Sequence, residues 1–312
     1  MKLNVIIPTY NRSGSLPLTV NSLLACAPAT TLTMTLIVVD NNSKDDTKEV
    51  VERMMAAHPG RIRYVFEQKQ GQPAALNAGI EAADGDLIGF IDDDEQVPED
   101  WLTTVEAAFQ DEGVTFVSGR CVPDWKAEAP EWLPVNRKGL VGLLDYGDAP
   151  FEMDTLTKGR SFVGGNSVVR TEAARKVGGY SLWLTYGNDA EFGVKLVNAG
   201  YKGRYVPALK IVHEIPADRL TKKYVRKRAM LNHRATVQIR KKWPAIDKLF
   251  LGFPIKIAYY KVRKMIGLSA GAIAGKGGPQ EKFELELLIW DMIGLFRGWA
   301  HFNGARNLGV MR

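Results

Sequence analysis

The chain has 312 residues, an apolar fraction of 46% and no repetitive tract, which excludes a disordered or fibrous protein and leaves room for one large domain or two smaller ones. Two cysteines, Cys26 and Cys121, are too few for a disulfide framework or a cysteine-based zinc site, so a reduced, cytoplasmic setting is expected. The net charge of +6 is unevenly spread: 15 Lys/Arg against 2 Asp/Glu between Asp218 and Lys264 leave 26 against 33 elsewhere, an acidic body with a basic segment suited to an anionic partner.

MKLNVIIPTYNR at the N-terminus has too short an apolar stretch for a secretory signal, and Gly14, Pro17 and Pro28 interrupt the uncharged run that follows, against a membrane span. LNVIIPT (3–9) reads as a strand, with a helical pattern from Leu16. MTLIVVD (34–40) is a second strand, and NNSKDDT caps a helix running through Met55. IRYVFE (62–67) is a third, after which Gln72 and Pro73 open an Ala-rich helix. DLIGFI (86–91) is a fourth, followed by a helix from Glu99 and the strand VTFVSG (114–119). Apolar strands separated by helices indicate a Rossmann-like α/β fold, a mostly parallel sheet flanked by helices. Residues 121–160 read as loop, SFVGGNSVVR (161–170) as a strand with a helix from Thr171, and 178–201 as a Gly-rich loop entering a helix. KGRYVPALKIVHE (202–214) returns to extended structure. A basic helix over 218–243, halted by Pro244, and two apolar segments separated by AGKGGPQ form a helical C-terminal extension. The expected division is a domain over 1–217, with halves at about 1–120 and 121–217, and the extension over 218–312.

FIDDDEQVPEDW (90–101) places three aspartates directly behind the fourth strand. An acidic turn capping the next helix is the plain alternative. Open α/β sheets, however, bind ligands at the carboxyl ends of their strands. Hard cations such as Mg2+ or Mn2+ take carboxylate oxygens and share them with substrate phosphates, so a metal and a phosphate-bearing ligand are expected there.

VIIPTYNR, LIVVDNNSKDDT, GQPAALNAGIEAADGDLIGFIDDDEQVPEDWL, GGNSVVRTEAARKVGGY and GNDAEF stand in this order along the chain. In this respect it resembles the family 2 glycosyltransferases over about residues 1–215. The resemblance implies the A-type glycosyltransferase fold, a nucleotide-sugar donor, a divalent metal (Mn2+ or Mg2+) and inversion at the anomeric carbon. By the same resemblance Pro8, Thr9 and Tyr10 form the first nucleotide-contacting loop. Asp40 meets the base, with helix capping alongside Ser43 as its other reading, and Gln70 and Gly71 lie near base and ribose. Asp92 faces the ribose, Asp93 the ribose or the metal, and Asp94 ligates the metal. An acidic pair opening a late helix supplies the general base; here the pair is Asn188 and Asp189. Asp189 is therefore expected as the base, against a plain helix-terminus carboxylate. Asn188 departs from the usual Glu, which leaves its part in acceptor binding open. Gly164 and Gly165 are expected to line the acceptor cavity, with Trp183 stacked on a sugar or packed on the domain. His213, in IVHEIP, is expected to bind the metal or the diphosphate, whereas His58, His233 and His301 have no such context.

The basic segment favours an anionic membrane or a lipid-linked acceptor over nucleic acid, for which no motif is present. Peripheral placement on the inner face of the cell membrane is the expectation that follows. Leu285, Leu288, Ile289, Met292, Phe296 and Trp299 fall on one helical face, fit to pack on the domain, on membrane or on a second subunit in a homodimer. QIRKKW (238–243) resembles the Gln-x-x-Arg-Trp signature of processive polysaccharide synthases with altered spacing, so a single addition to a glycan is expected. The rivals are a non-catalytic nucleotide-sugar or membrane-binding module and a sugar-phosphate nucleotidyltransferase, whose Gly-rich loop PTYNRSGSL matches poorly. Uridine is the expected donor base, with guanine as the alternative.

Overall fold

The computed structural model describes residues 1–153, 162, 164–243, 249–273 and 277–307, without the side chains of 273 and 301–307. Most of the expected loop end over 154–160, Ser161 and Val163 of the expected strand, the stop at Pro244, the start of the AGKGGPQ break and the His301 side chain lie outside the described residues.

β1 (Lys2–Thr9) runs parallel between β2 (Thr33–Asp40) and β4 (Leu87–Phe90), with β3 (Ile62–Phe66) parallel beyond β2. Strands covered on both faces have no polar side to present, which is why β1 and β4 read as continuous apolar runs. The helices α1 (Leu16–Leu24), α2 (Thr47–Ala57) and α3 (Gln72–Ala82) connect them, α1 and α3 each with a proline in the first turn, where a missing N–H costs nothing.

Beyond β4 the sheet changes direction. β5 is the two-residue strand Glu95–Gln96, and α4 (Trp101–Ala108) carries the chain over to β6 (Phe116–Trp125). β7 (Phe151–Met153) and β8 (Ser167–Arg170) precede α5 (Thr171–Lys176), α6 (Asn188–Asn198) and β9 (Gly203–Ile215). β8 enters between β4 and β6 and runs against both. β5 and β7 pair antiparallel with β9. The order β3-β2-β1-β4-β8-β6-β9-β5 is thus a mixed sheet, parallel over its first four strands. An apolar run reports burial and not direction, so the antiparallel half leaves no separate mark in the sequence. The same limit explains β5, β7 and the extension of β6 to Trp125 inside a stretch expected to be loop.

Asn166, held at φ 58°, knits this half together. Its Oδ1 accepts from Trp101 Nε1 at 3.0 Å, and its Nδ2 donates to Arg120 O at 3.0 Å and Leu209 O at 2.8 Å. The core under the sheet is closed by aromatics: Tyr180 stacks on Phe192 with ring centroids 4.4 Å apart, and Phe90 meets both edge-on. Phe90 directly precedes the aspartate turn and Phe192 lies in α6, so this cluster fixes those two elements beside each other. Both cysteines are free; burial pushes Cys26, which is half-buried, up to about 11 and Cys121, which lies in the core, up to about 12, so neither thiol is activated.

The chain forms two compact units, Met1–Pro123 with Leu144–Glu214, and Asp124–Leu143 with Ile215–Arg312. The second is built on α7 (Lys222–Lys242), α8 (Ile255–Ile273) and α9 (Pro279–Asn307). α7 starts four residues later than the sequence suggests, because Ala217–Leu220 form a 3-10 turn and Thr221 Oγ1 caps the helix by accepting from Tyr224 N at 3.2 Å. In α9 the buried face is offset from the apolar stripe of the sequence and shares Leu288 with it. Phe283, Glu284, Leu287, Leu288, Asp291 and Leu295 are buried, while Ile289 and Phe296 are 47% and 53% exposed. The acidic residues turn the helix, because their partners are inside. Arg137 donates from Nε to Glu284 at 2.9 Å and from Nη2 to Asp291 at 2.7 Å, and Lys261 Nζ donates to Asp291 at 2.6 Å. Gly294 and Gly298 let α9 approach the backbone of α7, since a Cβ on either would run into the carbonyl of Met230 or Arg234. Against its own burial, the His233 contact, then Arg137 and Lys261, hold the Asp291 carboxyl well below the usual carboxylate range. Removing one member of such a network strands the rest, so Asp291→Ala is expected to lower unfolding free energy by about 3 kcal/mol, read from urea denaturation. No helix among the described residues is long and apolar enough to cross a membrane.

Candidate active site

β1, β2 and β4 end at one edge of the sheet, so Thr9, Asp40 and the 92–94 turn meet there. Asp40 is 2% exposed; its Oδ1 accepts from Ser43 N at 2.9 Å and its Oδ2 from Tyr64 O–H at 2.8 Å. Both carboxylate oxygens are thus held by the protein, one of them by the Ser43 contact and the other by the Tyr64 hydroxyl. That hydrogen bond, behind burial itself, raises Tyr64 above the usual phenol range. Asn41, which the sequence did not single out, ties this strand end to the loop before α3. Its Nδ2 donates to Glu67 O at 3.2 Å and Lys69 O at 2.7 Å, and its Oδ1 accepts from Gly71 N at 2.7 Å and Gln70 Nε2 at 3.5 Å. The loop of Gln70 and Gly71 is set by that one buried amide. Pro8 pairs with Val39 inside the sheet and Tyr10 is 46% exposed beyond its edge.

The three aspartates have distinct partners. Gln72 Nε2 donates to Asp92 Oδ1 at 3.0 Å, and Thr9 Oγ1 to Asp93 Oδ2 at 2.7 Å. Arg12 stands 4.0 Å from Asp93 and 3.8 Å from Asp94. His213 Nε2 lies 3.5 Å from Asp94 Oδ1. The short strand β5 sets this last contact: Glu95 pairs with His213 across the ladder, and Glu214 N donates to Asp94 O at 3.3 Å. Glu95, buried and unforeseen as a site residue, accepts from Asp92 N at 2.9 Å and so fixes the turn from below. Its position beside the aspartates was visible in DDDE; its inward orientation was not, because two residues carry no periodicity.

Negative charge is concentrated here. Burial, then Asp94, Asp189 and Asp93, raise the Asp92 carboxyl well above its ordinary value, with His213 opposing. Burial raises Asp93 to about 6 against the Thr9 hydrogen bond, and burial followed by Asp92 raises Glu95 strongly.

α6 brings Asp189 to this cluster from Gly187, whose φ of 77° makes the sharp entry into the helix. Gly164 and Gly165 press against the same carboxylates: a Cβ on Gly164 would overlap Asp189, and one on Gly165 would overlap Glu95. Gly164→Ala is therefore expected to displace the Asp189 carboxylate and lower turnover by roughly a hundredfold with nucleotide affinity unchanged, measured by steady-state kinetics and calorimetry. Asn188 is 7% exposed, and its Nδ2 lacks a hydrogen-bond partner among the described residues. Trp183, in the preceding loop, is 42% exposed, open to a ligand and not packed into the core.

Among the described residues no group of three or more His, Cys, Asp or Glu side chains forms a ready-made metal cage. The Asp94–His213 pair does fit an ion that keeps waters and substrate phosphates in its shell, as Mg2+ and Mn2+ do with one or two protein donors.

The profile of the family described as Glycosyl transferase family 2 matches residues 4–178. A GalNAc(5)-diNAcBac-PP-undecaprenol beta-1,3-glucosyltransferase of Campylobacter jejuni is 35% identical over 123 residues, 39% of this chain and 38% of that protein. The succinoglycan biosynthesis protein ExoM of Rhizobium meliloti is 26% identical over 233 residues, 73% of this chain and 72% of that protein. The chain thus matches little more than a third of the Campylobacter relative's length. The mannosyltransferase PcManGT of Pyrobaculum calidifontis, solved with GDP-Man and Mn2+, shares the fold with a TM-score of 0.58 at 21% identity, over 99% of this chain and 76% of that one.

Proposed function

Because this chain belongs to glycosyl transferase family 2, we propose that it moves one sugar from a nucleotide-diphosphate sugar to a hydroxyl of a glycan or lipid-linked acceptor, with inversion. The observation that carries this reading is the meeting of Thr9, Asp40 and Asp92–Asp94 with Asp189 of α6 at one sheet edge. The base and ribose lie between Thr9, Asp40 and the Gln70–Gly71 loop, with Asp92, oriented by Gln72, on the ribose. Asp94 and His213 would hold a divalent ion, which would supply positive charge to offset that of the diphosphate. Asp189 accepts the proton of the acceptor hydroxyl at its carboxylate, and the glycines keep that carboxylate in place. A base on the side of the sugar opposite the diphosphate gives attack from the far face, hence inversion. Asn188 offers its amide to the acceptor, and exposed Trp183 offers a stacking face. Contact with an anionic membrane, where a lipid-linked acceptor resides, is part of the same reading. Calorimetric titration with UDP, GDP, dTDP and CMP, each with and without Mn2+, tests it. Tight, Mn2+-dependent binding of one diphosphate is expected, UDP first; absence of binding by every nucleotide would overturn the proposal.

A further inference from the structure

α8 carries Lys256, Lys261, Arg263 and Lys264 and no acidic residue over Ile255–Ile273. Two of those cations point into the unit: Lys261 pairs with Asp291, and Lys264 Nζ donates to Glu284. They fix one side of the helix on α9. The other side is apolar and open. Ile255, Tyr259, Val262 and Ile266 follow one another at spacings of four and three, which stacks them on a single face, and they are 47%, 58%, 44% and 66% exposed. Exposed Lys256, Arg263 and Tyr260 flank that face. Phe250 and Leu251, 64% and 81% exposed, lead into it. A contiguous apolar stripe of this kind is unfavourable in water and marks a contact surface.

We propose that this face of α8 docks the protein on an anionic lipid bilayer. The helix lies in the interfacial plane, its aliphatic side chains among the acyl chains and its tyrosines at headgroup depth. Lys256 and Arg263 reach the lipid phosphates with no carboxylate on the helix to repel them, and this charge complementarity selects a bilayer over an uncharged apolar partner. The more basic α7 is not the lipid-facing element. Val225, Ala229, Ala235, Val237 and Ile239 turn inward, Arg226 pairs with Glu286 and Arg240 is 6% exposed, so the exposed Lys222, Lys223, Lys227 and Lys242 have no exposed apolar face beside them. The inference rests on the membrane contact in the functional reading above and assigns it to a surface.

Flotation of the full chain with phosphatidylcholine vesicles, alone or mixed with phosphatidylglycerol, tests the proposal beside two variants, Tyr259→Asp/Ile266→Asp and Lys256→Glu/Arg263→Glu. The unaltered chain is expected to float with the anionic vesicles only, and both variants to partition at least about tenfold less. These side chains are exposed, so melting temperature and nucleotide titration should match the unaltered chain and show that fold and donor site survive. Failure of the unaltered chain to float, or flotation of the variants at its level, overturns the assignment of α8. So does a lipid-free dimer that the variants dissociate, which would make a second copy the occupant. Nucleotide binding is scored on the same samples, so failure of the transferase reading is seen separately from failure of the docking face.

Discussion

Asp189→Asn is expected to reduce transfer by about a thousandfold while leaving donor binding and thermal stability within error of the unaltered protein. The substitution separates the two roles open to a carboxylate in the first turn of α6. Asparagine keeps the shape and hydrogen-bonding capacity needed near a helix N-terminus, and the lost charge–dipole interaction is worth only about 0.5 kcal/mol at such a site. A residue serving the helix alone would therefore tolerate the change. A residue that accepts the acceptor's proton would not, because a neutral amide is no base. The rate is read as sugar transferred per second from donor to acceptor, with nucleotide affinity measured on the same preparation. Turnover close to that of the unaltered enzyme would remove Asp189 from the mechanism and return it to the helix.

Asp94→Ala is expected to change nucleotide affinity in opposite directions with and without metal. In Mn2+ the site loses one of its two protein donors, and affinity should fall by roughly ten- to a hundredfold. Without metal the same carboxylate is only a like charge facing a diphosphate, among Asp92, Asp93 and Glu95 and opposed chiefly by Arg12 and His213. Removing it should improve affinity by a few-fold. His213→Ala should reproduce the fall in Mn2+ without the gain in its absence, since His213 contributes no negative charge. Calorimetry at fixed ionic strength reads both signs. Equal affinity for variant and unaltered protein in Mn2+ would rule out Asp94 as a ligand.

The parallel strands were legible because burial on both faces leaves one solution for residues such as Val5, Ile6 and Ile7, a continuous apolar run. Gln72 with Pro73 announced a helix start through backbone constraints, whereas the opening of α6 at Asn188 was reached through the family resemblance. The aspartate turn was legible as chemistry, since three adjacent carboxylates have few uses. Its geometry was not, because the contacts that shape it come from Thr9, Gln72, Glu95 and His213, far apart in sequence and united only by the register of the sheet. Asn41 escaped notice for a related reason. An asparagine after a strand reads as a turn former, and only the fold turns its amide toward residues 67–71. That Glu284 and Asp291 join the buried face of α9 could not be read from an apolar count, because their partner Arg137 lies far upstream.

That long reach bears on how the protein is made. Leu133, Leu140 and Val141 are buried, and Trp132 meets Phe283 with ring centroids 4.7 Å apart. Arg137 and Asp291 stand 154 positions apart. During vectorial synthesis at 5–20 residues per second, the 124–143 stretch leaves the ribosome roughly ten seconds or more before α9 can cover it. The surrounding strands can close within that interval and leave the loop, with its apolar residues and Arg137 uncovered, waiting outside. The nascent chain is thus most exposed to chaperones and proteases in that window, and slowing translation after residue 143 should lengthen it.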